Sequence, residues 1–356
     1  MRFAISFALS VLLFCGGAAA QQLTVSKLKR LYAAAEAGHV QAQIELGHDL
    51  AFGLGVREDP SEAVRWFLRG ADQGDPVAQT DLGYLYVIGR GVPQDFQLAL
   101  RWFQRAASEN YAPAQTDLGM LLIMGPGVKQ DLRSGVGWLS RAASQGYAPA
   151  EVNLGLMYLQ GTGVARSHDE AFRWFHKAAK QHDPRGQFLL GTMYELGIGA
   201  IKNFVEANRW YRQAAAQGFP EAENDLGAAY VNGNGVRVDV DEAMNWFKLA
   251  AEHGNYQALV NLAETYAGAH GFAPNYREAY FWAVLAKRKI VSTSMGLRAS
   301  LLEDLRERLS SEQIQMIDNE AEIWLQKHPS GLQNQNSLYE IRMGELSVAS
   351  NELSRR

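Results

Sequence analysis

Eight histidines offer this chain its widest scope for acid–base or metal chemistry: His39, His48, His168, His176, His182, His253, His270 and His328. They are scattered, and no two stand at the i, i+4 spacing that places a pair of imidazoles on one helical face to hold zinc. The single cysteine, Cys15, lies near the start, so no thiolate joins them further along. His168 sits in a turn beside Ser167, where a solvated imidazole is expected. Ser26 and Lys29 make a formal S-x-x-K, the spacing at which a lysine can activate a serine in penicillin-recognising enzymes. Neither companion motif is present, so the pair is read as chance. The Gly-x-Gly pairs, such as Gly89 and Gly91, fall between two helical patterns rather than after a strand, and do not form a phosphate loop. A hydrolase needs a nucleophile or metal with an aligned base, and no such set is visible. The expectation is a protein without catalytic residues, metal site or cofactor.

The elements that would position any site are repeated. Leu-Gly recurs at Leu46-Gly47, Leu82-Gly83, Leu118-Gly119, Leu154-Gly155, Leu190-Gly191 and Leu226-Gly227, with Leu262-Ala263 as a seventh member, in steps of 36 residues. Tryptophan keeps the same step at Trp66, Trp102, Trp138, Trp174, Trp210, Trp246 and Trp282. In the second unit Ala78, Leu82, Leu85, Tyr86 and Gly89 share one 3.6-period face, which defines a helix A. Gly89 and Gly91 close it, because a left-handed closing residue is best served by glycine. Ala99, Trp102, Ala106 and Ala107 define helix B, with the tryptophan expected to fill the space between helices as a structural core residue. An N-cap column reads Asp59, Asp95, Asp131, Ser167, Asn203, Asp239 and Asn275, all residues that can accept from the free amides of a first turn. Glu62, Glu170, Glu206, Glu242 and Glu278 follow three residues later, the spacing of a capping box. Capping accounts for these acids better than a role as ligands or bases.

Composition bounds the class. A chain of 356 residues exceeds one ordinary core, which calls for several domains or an array. A net charge of −4 gives none of the basic surplus of a nucleic-acid binder. Residues 1–20 have a basic start at Arg2, an apolar run from Phe3 to Cys15 and a small-residue exit at Ala18, Ala19 and Ala20. That is the pattern of a cleavable signal peptide, with cleavage expected after Ala20. The apolar run is short for a membrane span of about 20 residues. Phe14 before Cys15 disfavours lipidation, and the processed chain would hold no cysteine, leaving packing to supply its stability. A periplasmic or secreted location is expected.

The motif A-x-x-x-L-G-x-x-Y-x-x-G-x-G-V-x-x-D-x-x-x-A-x-x-W-x-x-x-A-A runs from Ala78 to Ala107 without a mismatch. It resembles the Sel-one-like repeat family, relatives of the tetratricopeptide repeats. The resemblance implies an all-α, right-handed α-solenoid of seven 36-residue helix-turn-helix repeats over residues 39–290, in an adaptor or regulator rather than an enzyme. It further implies roles in envelope signalling, exopolysaccharide assembly or contact with host proteins. Some cysteine-rich relatives have been linked to β-lactam binding or hydrolysis, and this chain lacks their cysteines. Asn110 and His182 replace the glycine after helix B, and both residue types tolerate left-handed geometry. The seventh unit is looser, with Ala263 and Lys287, as suits a terminal repeat. Residues 21–38 hold a lone helix B (Leu28, Leu31, Ala34, Ala35) as an N-terminal cap. Residues 291–328 hold two amphipathic helices as a C-terminal cap, and residues 329–356 are polar and expected to be disordered.

Specificity must come from helix A positions that point away from the repeat's own core. Counting 100° per residue, these are Thr80 and Tyr84, Thr116 and Met120, Val152 and Leu156, Phe188 and Thr192, with Val87, Ile123, Leu159 and Glu195 one turn further. In solenoids of this type helix A lines the concave side, so the stripe offers a trough for a protein or peptide partner. The alternative is that neighbouring repeats bury it, above all at the Val87 position. Glu45, Asp81, Asp117 and Asp225 flank it and would suit a basic amphipathic peptide, or simply bond a nearby backbone amide.

Overall fold

A computed structural model describes residues 25–271, 273–289 and 299–328, and every described regular element is helical. The expected signal peptide (1–20) and the expected disordered tail (329–356) lie outside the described residues. Helix α1 (Val25–Glu36) precedes the array. The helix A and helix B pairs are then α2 (Val40–Phe52) with α3 (Pro60–Asp72), α4 (Pro76–Ile88) with α5 (Phe96–Ser108), and α6 (Ala112–Met124) with α7 (Leu132–Ser144). They continue as α8 (Ala148–Gln160) with α9 (His168–Lys180), α10 (Pro184–Leu196) with α11 (Phe204–Ala215), and α12 (Pro220–Asn232) with α13 (Val240–Glu252). The last pair is α14 (Tyr256–Tyr266) with α15 (Tyr276–Lys289), followed by α16 (Ala299–Arg306) and α17 (Ser311–Lys327). The chain forms two compact units, one running to Trp174 and one starting at Phe175.

Local chemistry makes these boundaries sharp. The N-cap residue of every helix B accepts the amide three residues on: Asp59 from Glu62 at 2.9 Å, and likewise Asp95, Asp131, Ser167, Asn203, Asp239 and Asn275. The same residues each donate their own N–H to a helix A carbonyl nine positions back, as Asp95 does to Tyr86 at 2.9 Å, which fixes the A–B turn. The expected capping boxes are completed differently. Glu62 and Glu242 accept from the indole N–H of Trp66 and Trp246 one turn on, while Glu170 and Glu206 pair with Arg173 and Arg209 and Glu278 with Arg277. A carboxylate with a cationic or indole donor in reach gains a stronger or drier bond there than at the cap amide. A reciprocal box forms instead at Ser310 and Gln313, at the start of α17.

The core column lies one residue beyond the expected one. Trp66 and Trp282 are buried, but Trp102, Trp138, Trp174, Trp210 and Trp246 are half-buried. The next residue is buried in every repeat: Phe67, Phe103, Leu139, Phe175, Tyr211, Phe247 and Ala283. Burying such a phenylalanine contributes roughly 1.5–3 kcal/mol. This column also explains the glycine of Leu-Gly. A Cβ at Gly83 would stand 2.7 Å from the Phe103 ring, and one at Gly227 would stand 2.5 Å from Phe247. In the seventh repeat the ring is replaced by Ala283, and the glycine by Ala263; both are buried in one cluster. The looser seventh repeat is therefore a matched exchange of volume between two helices. The tryptophans form a shallower layer, with the guanidinium groups of Arg69, Arg105 and Arg141 over Trp66, Trp102 and Trp138 at 4.5, 5.7 and 4.5 Å.

Both ends are covered. In α1, Leu31 and Ala35 are buried against the first repeat, and Tyr32 meets Trp66 edge-on at 6.1 Å. Leu301 and Leu305 of α16 and Ile317, Ala321 and Leu325 of α17 join the core of the last repeats. Trp324 packs edge-on against Trp282 at 6.0 Å. Ser26 and Lys29 are both exposed on α1. No helix among the described residues is long and apolar enough to cross a membrane.

Candidate functional site

The helix A stripe differs between the two units. In the first unit most of it is closed: Thr80, Thr116, Met120, Val152 and Leu156 are buried, as are Val87 and Ile123. Their burial corrects the reading of these five side chains as an open trough. Within this unit α4 meets α6 and α6 meets α8, and apolar groups at these positions gain more from neighbouring helices than from water. The threonines are turned inward as well. The Thr80 hydroxyl donates to Pro76 O at 2.6 Å and that of Thr116 to Ala112 O at 2.8 Å, one turn back in their own helices. Of the first unit's candidates Tyr84 and Leu159 stay half-exposed.

A buried polar line runs through this closed stripe. His48 Nε2 lies 2.7 Å from Asp81 Oδ2, with both side chains buried. Burial disfavours the charged imidazole, but the Asp81 charge and hydrogen bond outweigh it and raise the His48 pKa. Burial, reinforced by the Asp81 charge, holds the Asp117 carboxyl well above the usual carboxylate range. Burial and then Glu45 push Asp49 to about 6. The acids that flank the stripe are thus mostly interior groups, and Glu45 alone of the first unit's three is exposed.

In the second unit the corresponding surface is partly open and acidic. Phe188, Thr192, Glu195, Asp225 and Glu264 are all half-exposed along α10, α12 and α14. Phe188 packs on Tyr211 and Phe219 with ring centres 5.8 and 5.3 Å apart, which holds it in place. The Tyr211 hydroxyl donates to Glu195 Oε2 at 2.6 Å. Burial, with the Glu195 charge beside it, pushes Asp225 up to about 8, against a hydrogen bond from Asn224 Nδ2 at 3.2 Å that works the other way. A small residue, Ala228, stands where Tyr84 and Met120 stand in the first unit. Among the described residues no group of three or more His, Cys, Asp or Glu is placed to hold a metal ion.

Reading the sequence missed a second polar column. Gln43, Gln79, Gln115 and Gln187 are buried at the start of helix A, and each donates Nε2 to a carbonyl near the end of the preceding helix, at 3.0 to 3.4 Å. Gln73, Gln145 and Gln217, thirty residues beyond three of them, donate in turn to Gln43, Gln115 and Gln187 at 2.9, 2.8 and 2.9 Å. The signal was available: glutamine or glutamate recurs every 36 residues in the first six repeats on an otherwise apolar face, with Leu259 in the seventh.

The Sel1 repeat model matches residues 40–75, 76–111, 112–147, 148–183, 184–219, 220–255 and 257–289, which is more than half of the chain. The chain belongs to the Sel1 repeat family, and its fold is an all-α solenoid. A similar solved structure is that of c5321, a protective antigen present in uropathogenic Escherichia coli strains, which displays an SLR fold. The TM-score is 0.70 at 29% identity, over 86% of this chain and 66% of that one. The present chain therefore spans just under two thirds of that antigen's length. A Sel1 repeat protein from Oxalobacter formigenes matches with a TM-score of 0.61 at 30% identity, over 70% of this chain and 99% of that one. No curated protein matches the chain. Sel1 repeat proteins generally mediate protein–protein interactions, and the fold is typically a non-catalytic interaction scaffold.

Proposed function

We propose that this chain is a non-catalytic adaptor of the bacterial envelope that binds a protein or peptide on its helix A face. The observation that carries this reading is the second unit's surface, where a fixed aromatic ring at Phe188 adjoins Thr192 and the carboxylates of Glu195 and Asp225. Such a surface suits a basic amphipathic segment, whose cation replaces the proton that Asp225 otherwise keeps and whose apolar side packs on Phe188. Regulation of envelope signalling or exopolysaccharide assembly is the setting that this binding would serve. The expected signal peptide supports a periplasmic or secreted site of action.

Capture of partners from a periplasmic extract tests the face. The variant Glu195→Lys/Asp225→Lys is expected to release a partner that the wild type retains, and Phe188→Ala to weaken its retention. Unchanged capture by both would place binding elsewhere. A second reading, export to meet host proteins, draws on the similar c5321 structure being that of a protective antigen. Fractionation of cells and medium separates the two, since the second requires the protein outside the cell. An enzymatic role as a peptidoglycan or β-lactam hydrolase predicts turnover of muropeptides or nitrocefin by the purified protein, and none is expected.

A further inference from the structure

A clasp joins a buried residue at the start of helix A to an exposed one at the end of helix B, and it is uncharged in three repeats, where it joins Gln43 to Gln73, Gln115 to Gln145 and Gln187 to Gln217. In the sixth repeat the same two positions hold Glu223 and His253. His253 Nδ1 lies 2.9 Å from both carboxylate oxygens. The Glu223 side chain is fully buried, while that of His253 is 41% exposed. A glutamine clasp keeps its protons at any physiological pH. The imidazole–carboxylate clasp holds one proton more than its fully deprotonated form, and the open edge of the ring gives that proton a route to water.

We propose that the sixth repeat's clasp is a proton-controlled joint, closed while the His253–Glu223 pair holds its proton and loosened when the proton leaves. Position favours the protonated pair. Glu223 stands in the first turn of α12 and His253 caps the C-terminus of α13, so each helix dipole stabilises the charge that its residue would carry. Deprotonation leaves a buried carboxylate with no cation against it. A carboxylate also cannot donate to a carbonyl of the preceding helix, as the glutamines of other repeats do.

The charge of Glu252 acts in the same direction. The titratable residues on the packed elements are Glu221 and Asp225 on α12, Lys248 and Glu252 on α13 and Glu264 on α14, and of these Glu252 is the one whose charge bears on Glu223. The chain leaving α11 contributes Gln217 and Gly218, which carry no charge, with a Cβ at Gly218 falling 3.6 Å from the His253 ring. Burial and the charge of Glu252 raise the Glu223 pKa above its ordinary 4.5, while the bond and charge of His253 pull it down. A carboxyl whose folded pKa is raised adds stability that is full below its unfolded value and is lost as pH rises through the folded one. The joint therefore loosens towards alkaline pH.

Amide hydrogen exchange of the full chain at pH 6 and pH 8, corrected for intrinsic rates, tests the proposal. Opening at the start of α12 and the end of α13 is expected to rise by about tenfold over this range relative to the Gln115–Gln145 clasp. The double variant Glu223→Gln/His253→Gln rebuilds a glutamine clasp and is expected to lose that difference. Asp225→Asn, which removes the carboxyl of α12 that burial pushes up to about 8, is expected to keep it. The proposal is overturned if the wild-type clasps respond alike, or if the response survives in the double variant and disappears in Asp225→Asn. Should the double variant not fold, the wild-type comparison together with Asp225→Asn decides.

Discussion

One repeat motif builds two different helix A surfaces. In the first unit the stripe is sealed: Thr116, Met120, Val152 and Leu156 are buried, Asp81 is paired with His48, and burial raises the proton affinity of Asp117. In the second unit the equivalent stripe is half-exposed, and Glu195 and Asp225 share it without a paired cation among the described residues. The difference comes from side-chain volume at a few positions. Tyr84, Met120 and Leu156 occupy the first unit's face, whereas the smaller Thr192 and Ala228 stand at the equivalent positions of the second. A conserved-length scaffold can therefore carry closed and open segments, provided that the glycine–ring contacts beneath them are kept.

The comparison requires both units to share one kind of core, and the largest expected effect tests that. Phe103→Ala and Phe247→Ala should each cost about 3–5 kcal/mol of local stability, because each removes a buried ring that fills the space over a glycine. Chemical denaturation followed by hydrogen exchange in each unit reads both losses, and a twofold disparity between them would break the comparison. Next in size is the buried pair that only the first unit's stripe contains. His48→Ala leaves Asp81 buried without its imidazole and should cost about 3 kcal/mol, confined to the first unit's exchange pattern.

A pH series sharpens the contrast further. Asp117 and Asp225 both have folded pKa values above the ordinary 3.8, Asp225 at about 8, chiefly through burial. Each thus adds stability that is full below about pH 4 and is lost as pH rises through its folded value, so the melting temperature should fall from pH 6 to pH 9. Asp225→Asn should raise the melting temperature at pH 9 and leave it nearly unchanged at pH 4. An equal change at both would show that Asp225 does not titrate as its surroundings demand. The smallest effect belongs to the surface layer. Arg105→Ala removes one guanidinium from above Trp102 and should cost about 0.5–1 kcal/mol, with no change in the second unit.

Much of this architecture was legible in one dimension because its causes are local. An aspartate three residues before a free amide caps a helix whatever surrounds it, and a glycine at the end of helix A closes it by backbone conformation alone; Asp95 and Gly89 behave as their types dictate. The left-handed conformations at Asn110 and His182 belong with these. The candidate site was far less legible. Periodicity placed Thr80 and Met120 on an outward stripe of an isolated hairpin, but α4 and α6 also pack on one another, and both side chains are buried.

By itself, then, the sequence determined the repeat length, the helix limits and their caps, since each depends on groups within a few residues. Only the tertiary structure decided that Phe103 rather than Trp102 reaches the core, because helix rotation is set by the glycine opposite it on another helix. It also brought together His48 with Asp81 and His253 with Glu223, pairs that are 33 and 30 residues apart. Their meeting, their burial and hence their proton affinity follow from packing between helices, which no local pattern of residues encodes.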